Sequence, residues 1–176
     1  MSNLQLLRAR WLCLVLLFVT MASSGIAAED YRIKERLVPK GFEHEASFFE
    51  LLKMPKEPNV AFDAGHAPLW NLAELDKYLP KEGIEFLDIN HAFEGRIDRK
   101  RITRELKDRS GEVFQAFAHL SSIYSLPYKQ YSELHFSKRS ADTSVVEIAD
   151  WYKIMFKRVG TQVIIIRWEY MQLEGD

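Results

Sequence analysis

Two stretches decide the fold: Val145–Lys157, VVEIADWYKIMFK, and Thr161–Gln172, TQVIIIRWEYMQ. Both are dense in β-branched and aromatic residues and carry no proline, the composition of sheet strands. With Tyr131–Lys138 before them, they predict a C-terminal antiparallel meander of three strands. Arg139–Ser144 and the Val159-Gly160 region serve as its turns.

The period of two then sets a register. Val146, Ile148, Tyr152, Ile154 and Phe156 fall on one side of the middle strand, and Ile164, Ile166, Trp168 and Tyr170 on one side of the last. A buried face joins the two rows, because a one-residue slip turns a whole row to water. The pairs expected are Phe156 with Ile164, Ile154 with Ile166, Tyr152 with Trp168 and Asp150 with Tyr170, closed by an odd-length loop. The wet face then carries Trp151 beside Glu169 and Lys153 beside Arg167. On the first strand, Phe136 faces Val146 and Leu134 faces Ile148, which carries Ser132 to Asp150.

Upstream the pattern turns helical. Ala46, Phe49 and Leu52, widened by Phe48 and Leu51, predict a helix over Glu43–Met54, ended by Pro55 and Pro58. Leu69, Leu72, Leu75 and Leu79 mark a second helix opened by Pro68. Ile84–Asn90 reads as a short strand running on to Phe93 before a Glu94-Gly95 turn. Asp98 caps a charged helix to Arg109, with Arg101–Glu105 and Arg104–Asp108 four apart. Val113–Tyr124 fits both helical spacing and alternation, and its five-position stripe favours helix. The fold class expected is α+β: short helices packed on a curved, mainly antiparallel sheet.

The first 28 residues have a different character. Arg8 and Arg10 lead into Trp11–Ala22, WLCLVLLFVTMA, followed by the small residues Ser23–Ala28, SSGIAA. That order is the pattern of a secretory signal peptide, cut after Ala27 or Ala28. The apolar block is shorter than the roughly 20 residues of a bilayer span. The expectation is export across an inner membrane to a bacterial periplasm, with residues 29–176 as one domain and no stable membrane anchor after cleavage. Removing Arg8 and Arg10 from the 24 basic residues leaves 22 against 25 acids, a formal charge of −3. This mild acidity argues against a nucleic-acid partner. The single cysteine, Cys13, departs with the leader, so no disulfide or thiol chemistry is expected.

The register puts a polar trio, Ser132, Asp150 and Tyr170, on an apolar sheet face beside Tyr152 and Trp168. A carboxylate desolvated there becomes a proton acceptor or a ligand contact, and the tyrosine a donor. The alternative reading is structural, with Asp150 at a strand bulge or sheet margin where its charge reaches water, or satisfied by Tyr170. These five residues are the candidate ligand-binding set. None of the five histidines sits at a metal-ligand spacing, no nucleophile or phosphate-loop motif is present, and no catalytic residue, metal or cofactor is assigned.

Helices first, then a strand pair, then long strands ending in DWYKIMFKR and TQVIIIRWEYMQ make residues 84–172 resemble the NTF2-like α+β cone, including its SnoaL-like members. That resemblance implies a sheet wrapped round a pocket, in proteins ranging from partner-binding modules to isomerases and dehydratases. The first reading is an exported, non-catalytic binding module for a small apolar ligand or a protein partner, with a homodimer as one assembly it allows. The alternatives are a pocket enzyme with Asp150 as base and Tyr170 as donor, and a periplasmic inhibitor or immunity-type protein.

Overall fold

In the computed structural model, residues 36–54, 70–88 and 93–170 are described. The expected leader, Pro68, Leu69 and His91 lie outside them. The described residues belong to one compact unit, Lys34–Asp176, and form an α+β fold with a mixed, mostly antiparallel sheet.

Helix α1, Glu43–Leu52, buries Ala46, Phe48, Phe49 and Leu52, the stripe its spacing predicts. The second leucine-rich helix is short: α2 spans Leu72–Leu75 and tightens into a 3-10 turn at Asp76–Tyr78. Strands β1, Ile84–Asp88, and β2, Phe93–Ile97, form an antiparallel hairpin. Glu94 and Gly95, expected as a turn, are therefore strand residues. Asp98 accepts from the Arg101 amide at 2.9 Å and starts α3, Arg99–Asp108. The ambiguous segment is helix: α4 spans Gly111–Ser125.

Glu105 joins these two helices. Its carboxylate accepts from Arg101 Nε at 2.6 Å and from the Val113 amide at 2.9 Å. The second bond satisfies a donor that the start of α4 leaves open. Arg109, with φ of 54°, ends α3 in the left-handed region.

A single turn of helix, α5 at Lys129–Ser132, precedes β3, Leu134–Lys138. The stretch expected to begin as strand at Tyr131 thus begins as helix. The expected middle strand is two strands, β4 at Thr143–Ile148 and β5 at Tyr152–Val159, and β6 spans Gln162–Tyr170. The meander has four strands rather than three. Sheet order is β2-β1-β6-β5-β4-β3, with β1 parallel to β6 and all other pairs antiparallel.

The break falls at Ala149-Asp150-Trp151. Ala149 and Asp150 both hold positive φ, 53° and 55°, and the Trp151 amide donates to the Ile148 carbonyl at 3.1 Å. The turn spans three residues, so Ile148 and Tyr152 pair directly and remain on one face. Val146, Ile148, Tyr152, Ile154 and Phe156 are all buried, as the alternation demands. Leu134 faces Ile148 and Phe136 faces Val146, as read from the sequence.

The β5–β6 register departs from expectation by two residues at the Tyr152 end and by one beyond Met155. Tyr152 faces Tyr170 and Ile154 faces Trp168. A bulge then leaves Ile166 unpaired, and Phe156 faces Ile165. Val163 and Ile165 are buried, while Ile164 and Ile166 are only partly covered. The cause is legible afterwards. The Gly160-Thr161 turn is tight, Val159 pairing with Gln162, and Gly160 at φ of 62° suits its first position. That turn fixes the phase of Val163 and Ile165, while Trp168 and Tyr170 face inward at the far end. One extra residue reconciles the two phases. The observed register also sets Lys153 against Glu169, whereas the expected one set Lys153 against Arg167, a like-charge pair.

Helices cover the inner face, and Trp168 is the centre of the core. Its ring stacks on Phe117 at 4.5 Å and on Phe86 at 5.6 Å, with Phe48 and Tyr152 meeting it edge-on.

Candidate functional site

The predicted trio does not form. Asp150 stands exposed in the β4–β5 turn, and Tyr152, not Asp150, faces Tyr170. The desolvation that would make Asp150 a base is absent, because water reaches the carboxylate at a turn. Ser132 is buried, but its hydroxyl donates to the Leu126 and Tyr128 carbonyls at 2.6 and 3.1 Å. That bonding closes the turn of α5 from within.

Tyr152, Trp168 and Tyr170 do come together, and a residue the sequence reading did not select joins them. His119, on α4, places Nδ1 2.7 Å from the Tyr152 hydroxyl. Which group donates follows the histidine tautomer. The imidazole lies parallel to Trp151 with ring centres 6.1 Å apart, and meets Tyr170 edge-on at 5.4 Å. Tyr152 stacks on Tyr170 at 4.8 Å. Four rings and the His119–Tyr152 hydrogen bond thus form a continuous cluster. Tyr152 is buried, and His119, Trp151 and Tyr170 are half-buried.

Part of the backbone strain among the described residues lies beside the cluster. Among the described residues, Arg109, Ala149 and Asp150 are the non-glycine residues with positive φ, and two of the three immediately precede Trp151. Left-handed conformation costs an L-residue such as alanine about 1–2 kcal/mol. Such strain concentrates at functional sites. Here it turns the chain tightly enough to lay Trp151 against His119 and to bring Tyr152 directly back into the sheet. His119 lies two residues from Phe117 and one from Leu120, inside the α4 stripe, so its spacing gave no sign of a separate role. The signal lay in pairing a helix with a strand through a side chain, which a linear sequence does not display.

The cluster offers flat apolar faces beside a histidine–tyrosine pair oriented by its own hydrogen bond. Among the described residues, no three His, Cys, Asp or Glu side chains gather to hold a metal ion. No helix among them is long and apolar enough to cross a membrane.

No protein-family model matches the chain, and no curated protein matches it. One solved structure is similar, that of a DUF4783 family protein from Bacteroides ovatus ATCC 8483. It is 12% identical, covers 79% of this chain and 100% of its own, and superposes with a TM-score of 0.32. Likeness at that level carries neither fold nor function across.

Proposed function

We propose that this chain is an exported, non-catalytic binding module of the NTF2-like kind. Its ligand is a small, flat, largely apolar molecule held against His119, Trp151 and Tyr170, with the buried Tyr152 fixing the imidazole from behind. The observation that carries the reading is the strained turn that sets the Trp151 ring parallel to an imidazole already held by the Tyr152 hydroxyl. Half-buried aromatic faces with one oriented polar pair are the usual lining of a small-molecule site. The NTF2-like reading is supported by the element order, in which a strand pair and helices precede a meander whose last strand returns parallel to β1. The export reading is supported by the Arg8 to Ala28 pattern.

The test uses 1-anilinonaphthalene-8-sulfonate as a flat aromatic probe in fluorescence titrations. Wild-type protein should bind it saturably. Trp151→Ala and His119→Ala should each weaken binding about tenfold or more, a loss of about 1.4 kcal/mol. Equal affinity in all three proteins would reject the site. Native mass spectrometry of protein recovered from its secretory compartment should show a retained small mass.

A further inference from the structure

Strand β3 ends the sheet: among the described residues it pairs with β4 on one side only. Leu134 and Phe136 on its inner face are only half-buried, although the residues they face, Ile148 and Val146, are fully buried. An open edge of this kind invites another strand. We propose that the occupant is β3 of a second copy of this chain, joined antiparallel about a two-fold axis normal to the sheet that passes midway between the two copies of Phe136.

The sequence of the edge is self-complementary under that operation. The register is limited, because paired residues must point to the same face of a continued sheet. Centring on Phe136 meets this condition and sets Phe136 against its own copy. It sets His135 against Ser137 of the partner subunit, Leu134 against the aliphatic stem of Lys138 of the partner subunit, and Glu133 against Arg139 of the partner subunit. Glu133 and Arg139 are both exposed. Because the contact is isologous, the opposite-charge pair occurs twice. Centring instead on His135 sets Glu133 against Ser137 and Arg139 against Tyr131, and the charge match is lost. Strand β3 also carries no proline or glycine. The opposite edge, β2, has Gly95 at its centre, which gives a strand pair no side chain to pack.

This inference is independent of the ligand reading, since β3 shares no residue with the His119 cluster. The experiment is sedimentation equilibrium over a wide concentration range at low salt. Wild type should show a reversible dimer. Glu133→Arg alone faces arginine with arginine, and Arg139→Glu alone faces glutamate with glutamate. Each should weaken dimerisation about tenfold or more. The double reversal should restore it to within about threefold of wild type. Thermal melts of these surface variants should match wild type at concentrations where every protein is monomeric. A monomer at every concentration, a dimer insensitive to the single reversals, or a double variant no better than the singles would each overturn the proposal.

Discussion

The Tyr152 hydroxyl and His119 Nδ1 stand 2.7 Å apart, joining the first residue of β5 to the middle of α4. Tyr152→Phe keeps the ring and its stacking on Tyr170 but removes this bond. The expected loss of stability is about 0.5–1.5 kcal/mol, read from urea unfolding. The imidazole resonances of His119 should shift at the same time. Unchanged stability together with unchanged resonances would show that the bond is not formed in solution.

The β4–β5 turn should be improvable. Ala149 and Asp150 occupy the two left-handed central positions that asparagine and glycine prefer. Ala149→Asn combined with Asp150→Gly should raise the unfolding free energy by about 1–2 kcal/mol. If the strain serves to place Trp151, the stabilised protein should still bind the anilinonaphthalene probe, because the turn geometry is retained. A drop in stability would mean that Asp150 makes a contact more valuable than the strain it carries.

Glu45 is 2% exposed, and Ser144 Oγ donates to its Oε1 at 2.6 Å, while Oε2 has no hydrogen-bond partner among the described residues. Ser144→Ala therefore strips the carboxyl of the donor that ties α1 to β4. It should cost about 1–3 kcal/mol. Glu45→Met in that background removes the buried polar group itself and should recover most of the loss. Additive losses in the double variant would rule out the pairing as the source of the effect.

Two glycines separate backbone strain from steric conflict. Gly83 holds φ of 84°, and a Cβ there would stand 2.1 Å from the Ile97 carbonyl oxygen. Gly41 holds φ of 91° with nothing within 4 Å of the corresponding position. Gly41→Ala should cost about 1–2 kcal/mol from backbone strain alone. Gly83→Ala should cost about 3 kcal/mol or more, because the rigid end of β2 must also move. Similar melting temperatures for the two variants would contradict this.

Alkaline pH should unfold the protein through Tyr124. Burial, then its hydrogen bond to the Glu50 carboxylate, pushes the Tyr124 hydroxyl well above its ordinary value of 10.0. Tyr78 is raised in the same direction, by burial first and then by Glu45 and Glu74. Both are protonated in folded and unfolded chains at neutral pH. Above pH 10 the unfolded chain releases these protons first, so stability falls as pH rises. Tyr124→Phe should make the decline shallower. An unchanged slope between neutral pH and pH 11 in Tyr124→Phe would exclude this cause.

What the residues by themselves determined was local and periodic. The α1 stripe of Ala46, Phe49 and Leu52, the Asp98 cap, the Leu134–Ile148 and Phe136–Val146 pairs and the buried row from Val146 to Phe156 all follow from short-range spacing and burial. The tertiary structure decided what spacing leaves degenerate. Val163 to Ile166 is apolar at every position, so alternation does not choose a phase there, and the Gly160 turn and Trp168 together impose a bulge. The Ala149-Asp150 turn holds alanine in a left-handed conformation it disfavours, so no clear turn signal marks it, and the sheet pairs on either side hold it in place. The shift of Asp150 into that turn dissolved the expected trio. His119 reached the sheet only because α4 packs across β5, a meeting of residues 33 positions apart that side-chain packing, and not sequence, brings about.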